Sequence, residues 1–345
     1  MKRKVESLQI LRGMAIFLIF LSHCDQLLLF DGENRLNNLG GFGVAVFISL
    51  SGFLTSYRGS GENTLKNPID LYITKWKKFC WLHLFTLFLA IPFSFSLLKK
   101  SILQWMGCLF LNASLLQVWI PKASVYFSFN AVSWYLSLTL SFAVLTPFVI
   151  KLWENLDEKR VLKASVVVIV FEFVLCYLLQ EKAFVHWAVY IFPITRLVDF
   201  VIGGGYYRIA KSLQDKERRG ENFKWLLPCS ILILLLLGTS SFFFVSEYYS
   251  TAIWTLPSCW VVTSTFLFNE KPRRLISKGF YHLGNMSFEF FMIHQLILRY
   301  LGVIVRRYGI SIYIDYFLAF VISCLGAYIL HNHDKVIGLI KNEQG

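Results

Sequence analysis

Long apolar stretches recur along the chain, and each is close to the length that spans a membrane. About 20 consecutive apolar residues form a helix that crosses the hydrocarbon core of a bilayer. The pattern predicts ten such helices, at 8–30, 39–57, 79–98, 132–152, 161–180, 187–207, 225–245, 251–268, 283–305 and 311–331. The stretches are continuously apolar rather than alternately apolar and polar, which argues against a transmembrane barrel.

The first stretch, Leu8 to Phe30, contains two residues that are costly to place in a membrane. Arg12 and His23 are eleven positions apart, which at about 100° per residue brings both side chains to one face of a helix. At a rise of about 1.5 Å per residue, they lie about 16 Å apart along the axis. An ionisable residue inside a membrane helix is a candidate functional residue. The alternative is structural: Arg12 extends to the membrane surface, and His23 bonds a neighbouring helix.

Composition agrees with an integral membrane protein. Of the 345 residues, 56% are hydrophobic and 16% are charged, whereas about a quarter of the residues are charged in a typical soluble domain. No polar stretch is long enough to fold alone, so we expect a single integral-membrane domain over residues 1–345. The expected fold is all-α, a polytopic transmembrane helix bundle. The seven cysteines are scattered singly in apolar stretches without ligand spacing, so no metal site is expected.

The basic residues orient the predicted helices. The formal net charge is +13, and Lys and Arg concentrate in the cytoplasmic loops of membrane proteins. With ten spans and both termini cytoplasmic, most of the 34 Lys and Arg residues fall on the cytoplasmic side. This count leaves the apolar segment near 102–120 outside, as an interfacial or re-entrant piece. The same distribution accounts for the charge, so nucleic acid is not expected as a partner.

Acyl transfer from a thioester to a sugar hydroxyl needs three features, and the first helix offers candidates for two of them. It needs a cation to hold the phosphates of the donor, a base to take the hydroxyl proton, and a dry pocket. Arg12 suits the first role because a guanidinium binds phosphate oxygens with a fixed fork. His23 suits the second because burial favours the neutral imidazole that accepts a proton.

Four motifs follow one another along nearly the whole chain. The first is LRGMAIFLIFLSH, with ten residues between Arg12 and His23. The others are GGFGV with FISLSGFL at 40–54, RLVDFVIG at 196–203, and LGNMSFEFFMIH at 283–294. In this order they resemble the segments of the membrane-bound acyltransferase 3 family. The resemblance implies about ten spans and transfer of acetyl or other short acyl groups from cytoplasmic acyl-CoA to envelope glycans.

Within this resemblance, the essential catalytic pair is Arg12 and His23. The predicted acyl-CoA-binding residues are Arg12, Lys77, Lys78, Arg196 and Asp199, and the predicted acceptor-binding or supporting residues are Ser51, Glu289 and His294. Structural alternatives accompany several of them. Arg196 and Asp199 are three apart on one helix face and are able to pair with each other. His294 either assists His23, binds the acceptor or satisfies a backbone carbonyl, and Ser51 with Gly52 favours close helix approach.

The chain departs from the family pattern in two places. The entry to the third helix reads KWKKFCWL, with lysines where many members have arginines and without the proline that follows. Phosphate attraction survives this change, but the bidentate clamp of arginine does not. Thr139 stands where many members have a glutamate after Trp-Ser-Leu-Ser, so no subfamily or acceptor is assigned from those members.

The sequence therefore predicts a multi-pass O-acyltransferase of the bacterial inner membrane, without a bound cofactor. Its donor would be acetyl-CoA or another short acyl-CoA, and its acceptor a surface polysaccharide or a lipid-linked glycan. Other expected partners are the lipid bilayer and glycan-synthesis enzymes. One alternative is a transporter or flippase for a glycan or an anionic solute, which also uses buried charges, although no internal repeat is visible. Another is a structural component of a glycan-synthesis complex, in which the buried charges are dispensable.

Overall fold

The described parts of the chain are predominantly helical. The computed structural model describes residues 5–27, 37–59, 67–240, 248, 251–269, 271–309 and 311–333. The helices are α1 (Glu6–Leu27), α2 (Asn37–Gly59), α3 (Pro68–Ala90), α4 (Phe95–Lys100), α5 (Ile102–Ala113), α6 (Ala123–Tyr126), α7 (Trp134–Glu154), α8 (Glu158–Leu179), α9 (Pro193–Glu217), α10 (Leu226–Ser240), α11 (Ala252–Phe268), α12 (Leu275–Asn285), α13 (Ser287–Tyr308) and α14 (Ile312–His331). These described ranges contain no strand, which confirms the predicted all-α class.

Seven segments of the described chain are long and apolar enough to cross a membrane. They are α1, α2, α3 continued through α4, α7, α8, α13 and α14. The three other predicted spans fall on α9, α10 and α11. As described, α10 and α11 have 15 and 17 residues, which gives them about 23 and 26 Å at 1.5 Å per residue. Seven spans are thus supported, and a total of ten stays a prediction. The predicted cytoplasmic termini fall at 1–4 and 334–345, outside the described residues.

Two predicted boundaries were wrong. The third helix begins at Pro68 rather than at 79, because Asn67 caps it by accepting a hydrogen bond from the Ile69 backbone N–H at 2.9 Å. The predicted span had begun after Lys75, Lys77 and Lys78, but long basic side chains extend from a helix to polar surroundings. The span predicted at 187–207 is interrupted. A one-turn π-helix at Trp187–Ile191 ends before Pro193, because proline disfavours a helical conformation in the residue before it.

Helix α2 lies at the centre of the bundle, where it packs against α1, α7, α9 and α11. Its contact with α9 is close because Gly52 has no side chain: a Cβ there would lie 1.9 Å from the carbonyl oxygen of Phe200. Small residues allow such approach between membrane helices. The contact confirms the expectation that the segment around Ser51 and Gly52 favours close helix packing.

A second close contact holds α1 against α12, which leads directly into α13. A Cβ on Gly13 would lie 2.0 Å from the carbonyl oxygen of Phe280, and one on Gly284 would lie 1.9 Å from that of Gln9. The two glycines therefore let the helix backbones touch, each against the other helix. This crossing fixes the distance between α1 and the start of α13, the two helices that carry the candidate histidines.

The segment predicted to be interfacial or re-entrant folds as α5 and a series of short turns up to Ser133. The 12 residues of α5 give a length of about 18 Å, which is shorter than the roughly 30 Å hydrocarbon core. Beyond α5, the Asn130 side chain donates to the Met292 carbonyl at 3.0 Å, and Arg299 donates to the Phe129 carbonyl at 2.9 Å. The segment therefore packs against α13 beside the position of His294.

Candidate active site

His23 and His294 are in direct contact between α1 and α13. Nδ1 of His23 lies 2.7 Å from Nε2 of His294, and the two rings stack with centroids 5.0 Å apart. The His294 side chain is completely buried and also stacks on Phe290. The fold thus brings together histidines from the first and the last of the four sequence motifs, and we call this pair the dyad.

Hydrogen bonds assign the tautomers of the dyad. Nδ1 of His294 lies 2.8 Å from the carbonyl oxygen of Phe291 and 3.1 Å from that of Phe290. A carbonyl only accepts, so this nitrogen carries its hydrogen. Nε2 of neutral His294 is then an acceptor, and Nδ1–H of His23 donates to it. The remaining nitrogen, Nε2 of His23, keeps its lone pair, which is what a general base requires.

A cavity of about 200 Å³ lies between α1, α2, α3, α7 and α13, on the Arg12 side of the dyad. Its two ends differ in chemistry. Arg12, Lys75 and Lys78 line the end near the start of α1, and Ile19 and Phe291 line the opposite end. Arg12 and Ile19 are seven residues apart on α1, which gives the cavity a length of about 10 Å along this helix.

The cationic end of the cavity lacks carboxylate partners. Arg12 donates to the side-chain oxygen of Gln9 at 3.3 Å, and Lys75 donates to the backbone carbonyl of Thr139 at 3.0 Å. Within the described part of the chain, no Asp or Glu forms an ion pair with Arg12, Lys75 or Lys78. Three cations around one cavity, without an acidic partner among the described residues, favour an anionic ligand, and guanidinium is well suited to phosphate.

The predicted lysines of α3 divide between two faces of this helix. Lys78 lines the cavity, whereas Lys77 is exposed and does not. Lys75, which was not among the predicted site residues, does line the cavity. The spacing explains the difference, because residues three apart share a helix face while Lys77 is turned about 200° from Lys75. Tyr135 and Thr139 of α7 also line the cavity, and no motif had indicated Tyr135.

Arg196 and Asp199 do not line this cavity. They form an ion pair of 2.8 Å, and their side chains are 1% and 0% exposed. The Thr255 hydroxyl of α11 lies 2.9 Å from Asp199 Oδ1 and 3.1 Å from Oε1 of the buried Glu172 of α8. These four residues form one buried group, which we call the acidic cluster, and it joins α8, α9 and α11. The geometry favours the structural alternative for Arg196 and Asp199 over donor binding.

The two remaining predicted residues have different positions. Ser51 lines the cavity, and its hydroxyl donates to the Phe47 carbonyl at 2.8 Å. Glu289 lies away from the cavity, where its Oε1 is 3.1 Å from Nδ1 of His331 on α14. Because Glu289 and His294 are five positions apart, they point about 140° away from each other on α13. One helix thus contributes His294 to the dyad and Glu289 to a contact with α14.

Together these features have the layout that group transfer from an anionic donor requires. One end of the cavity attracts negative charge, its walls are largely apolar, and a histidine with a free lone pair lies beyond its other end. The arrangement offers protein side chains that are able to bind a donor and to move a proton. The described residues contain no group of three or more potential metal ligands.

Comparison with known proteins agrees with this layout. The model of the family Acyl_transf_3, described as an acyltransferase domain, matches residues 5–331. The acyltransferase MdmB of Streptomyces mycarofaciens is 23% identical over 329 residues, which cover 86% of this chain and 80% of that protein. No solved structure matches the chain. Because the family match extends over nearly the whole sequence, the protein belongs to the acyltransferase 3 family.

Proposed function

We propose that this acyltransferase moves a short acyl group, acetyl in the simplest case, from cytoplasmic acyl-CoA to a hydroxyl of a cell-envelope polysaccharide or its lipid-linked precursor. The observation that carries the proposal is the position of the dyad. His23 lies about one helical turn beyond the apolar end of a cavity whose other end holds three cations that have no carboxylate partner among the described residues. We further propose that the protein spans the bacterial inner membrane, with the cationic end facing the cytoplasm.

Acyl-CoA has the charge distribution that this cavity favours. Its phosphates are anionic, and its thioester lies at the end of a long, uncharged arm. Arg12, Lys75 and Lys78 would bind phosphate oxygens, with Arg12 able to make two parallel hydrogen bonds. The distance of about 16 Å between Arg12 and His23 along α1 is on the order of the length of that extended arm. The phosphates and the thioester would then reach the two ends of the site together.

The dyad would activate the acceptor hydroxyl. Nε2 of His23 takes the hydroxyl proton while the oxygen attacks the thioester carbonyl, and the carbon–sulfur bond breaks as the new ester forms. The departing thiolate takes up the proton that His23 carries, so the reaction is balanced in charge and in protons. His294 accepts the hydrogen bond from Nδ1–H of His23, which orients the ring and stabilises its positive charge during transfer.

Replacing His23 tests this role. We expect His23→Ala to lower acyl transfer by about 10²- to 10⁴-fold, the usual contribution of general base catalysis, while the amount of protein in the membrane stays normal. The measurement is the mass of the surface glycan from cells with the wild-type protein, with the variant and without the protein. The glycan from cells with the variant and from cells without the protein should each lack the mass of one acyl group per repeat.

A matched control uses another histidine of the chain. His331 lies on α14, is 42% exposed and contacts Glu289 rather than the cavity, so His331→Ala should leave the glycan acylated. Full acylation with His23→Ala would show that His23 is not the base. Identical glycan masses with and without the protein would contradict the proposed acceptor class. Acyl-CoA consumption by the purified protein would then separate a wrong acceptor from a wrong donor.

A further inference from the structure

Both helices that carry the dyad also line the cavity, and on each helix the lining ends before the histidine. The last lining residue of α1 is Ile19, four positions before His23, and that of α13 is Phe291, three positions before His294. At 1.5 Å per residue these separations are about 6 and 5 Å. The two apolar side chains of Ile19 and Phe291 therefore border the part of the cavity nearest the dyad.

Ile19 lies on the same helix face as Arg12 and His23. It follows Arg12 by seven positions and precedes His23 by four, which turn its side chain by about 20° and 40° from theirs. The side chain is 2% exposed and contacts α2, where a Cβ on Gly43 would lie 2.6 Å from its Cγ1. A β-branched side chain in a helix has one strongly preferred rotamer, so Ile19 has a fixed position beside the path from the cavity to His23.

We propose that Ile19, together with Phe291, sets the length of the acyl group that the enzyme delivers to His23. This inference rests on the proposed function, because it assigns the apolar end of the same cavity to the acyl part of the donor. Ile19, Val44 and Phe291 line that end with hydrocarbon side chains, which suits the hydrocarbon chain of an acyl group. A full isoleucine at this point leaves room for a short acyl group and excludes a longer one.

Changing the volume of residue 19 tests the proposal. An added methylene group in an apolar pocket changes the specificity of an enzyme by about 10- to 200-fold. We therefore expect Ile19→Ala to raise the ratio of kcat/KM for butyryl-CoA to kcat/KM for acetyl-CoA at least about tenfold. The measurement uses the full-length protein in lipid nanodiscs with each donor and the acceptor glycan. Ile19→Phe should lower transfer from both donors.

Ile16→Ala is a matched control. Ile16 is also an isoleucine of α1 and is 0% exposed, but it does not line the cavity. Its replacement creates a comparable cavity in the core, and the donor ratio should stay within about twofold of the wild-type value. An equal shift of the ratio in Ile16→Ala and Ile19→Ala would overturn the proposal, because it would assign the effect to general loosening of α1.

Ile19→Val keeps the proposal testable if the alanine variant folds poorly. It removes one methyl group only, and the donor ratio should rise in the same direction by a smaller factor. An unchanged ratio in the valine and alanine variants, with transfer from acetyl-CoA intact, would show that Ile19 does not set chain length. Absence of transfer from any acyl-CoA by the wild-type protein would instead contradict the proposed function.

Discussion

Two arginines inside the helix bundle have opposite surroundings. Arg196 is almost completely buried and pairs with Asp199 at 2.8 Å, as part of the acidic cluster with Glu172 and Thr255. Arg12 borders the cavity and donates a hydrogen bond of 3.3 Å to the neutral side chain of Gln9. Both residues belong to family-like motifs and both were predicted to bind the donor. Their surroundings separate them.

The difference shows how a charge inside a membrane protein is used. A buried charge with an opposite partner is already neutralised within the fold. Removing the partner lowers the free energy of unfolding by more than the intact pair contributes to it. A charge beside a cavity with only neutral neighbours keeps its attraction for a ligand. On this criterion we expect Arg196 to stabilise the packing of its helices and Arg12 to bind an anionic ligand. The predictions below test each half of that contrast.

The largest effect is expected from removing the partner of Arg196. Asp199→Asn removes the carboxylate that lies 2.8 Å from the buried guanidinium of Arg196, and it leaves Glu172 as the acidic side chain of the cluster. Nε and Nη2 of Arg196 already have no hydrogen-bond partner among the described residues. Breaking a buried pair in this way costs about 3–5 kcal/mol of folding free energy. The measurement is thermal unfolding in detergent, which is monitored through the labelling of thiols that are buried in the fold, such as those of Cys24, Cys176 and Cys259.

Two controls separate lost charge balance from lost shape. Glu172→Gln, a neutral change of similar volume in the same cluster, leaves the pair intact and should cost less than about 1.5 kcal/mol. The double change Arg196→Met with Asp199→Leu removes both charges together and should be close to neutral or stabilising. If Asp199→Asn were as stable as wild type but had a raised KM for acyl-CoA, Arg196 would be a donor ligand after all.

Arg12 should respond in the opposite way. Arg12→Gln removes a charge that no carboxylate balances, so stability should stay within about 1 kcal/mol of wild type. The KM for acyl-CoA should rise about tenfold to a hundredfold, the equivalent of a charge-assisted hydrogen bond. Arg12→Lys keeps the charge but loses the planar fork, and a smaller rise is expected. Steady-state kinetics over a range of acyl-CoA concentrations measures both, and an unchanged KM in Arg12→Gln would remove Arg12 from the donor site.

The sequence predicts some features of the fold and of the candidate site, and others depend on contacts between distant residues. The all-α class, the shared face of Arg12 and His23, and the family follow from periodicity, spacing and motif order, because these are local properties. The pairing of Arg196 with Asp199 was also predictable, because the two residues are three positions apart on one helix. The contact of Thr255 with Glu172 joins residues 83 positions apart, and no local pattern indicates which buried groups meet.

The dyad illustrates the same limit. The sequence offered His294 three roles, namely assisting His23, binding the acceptor or bonding a backbone carbonyl. In the structure its two nitrogens contact both His23 and the carbonyl oxygens of Phe290 and Phe291. One ring thus makes the contacts that two of the three roles require, and the roles themselves stay predictions. Only the packing of α13 against α1, 271 positions apart at the histidines, determines that combination.

The smallest expected effect compares two neighbouring lysines of α3. Lys78 lines the cavity and Lys77 faces away from it, yet the two have the same charge and both are exposed. Water screens an exposed charge, so a contact from Lys78 to a donor phosphate is expected to contribute about 0.2–1 kcal/mol. Lys78→Gln should therefore raise the KM for acyl-CoA by about 1.5- to 5-fold, and Lys77→Gln should leave it unchanged.

Ionic strength sharpens this comparison. Added salt screens exposed charges, with a Debye length of about 10 Å at 0.1 M and about 3 Å at 1 M. The difference in KM between Lys78→Gln and the wild-type protein should shrink between these two salt concentrations, whereas the larger effect of Arg12→Gln should persist because Arg12 is less exposed. Equal effects of the two lysine changes at low salt would mean that the basic start of α3 attracts the donor as a whole, without a contact specific to the face that lines the cavity.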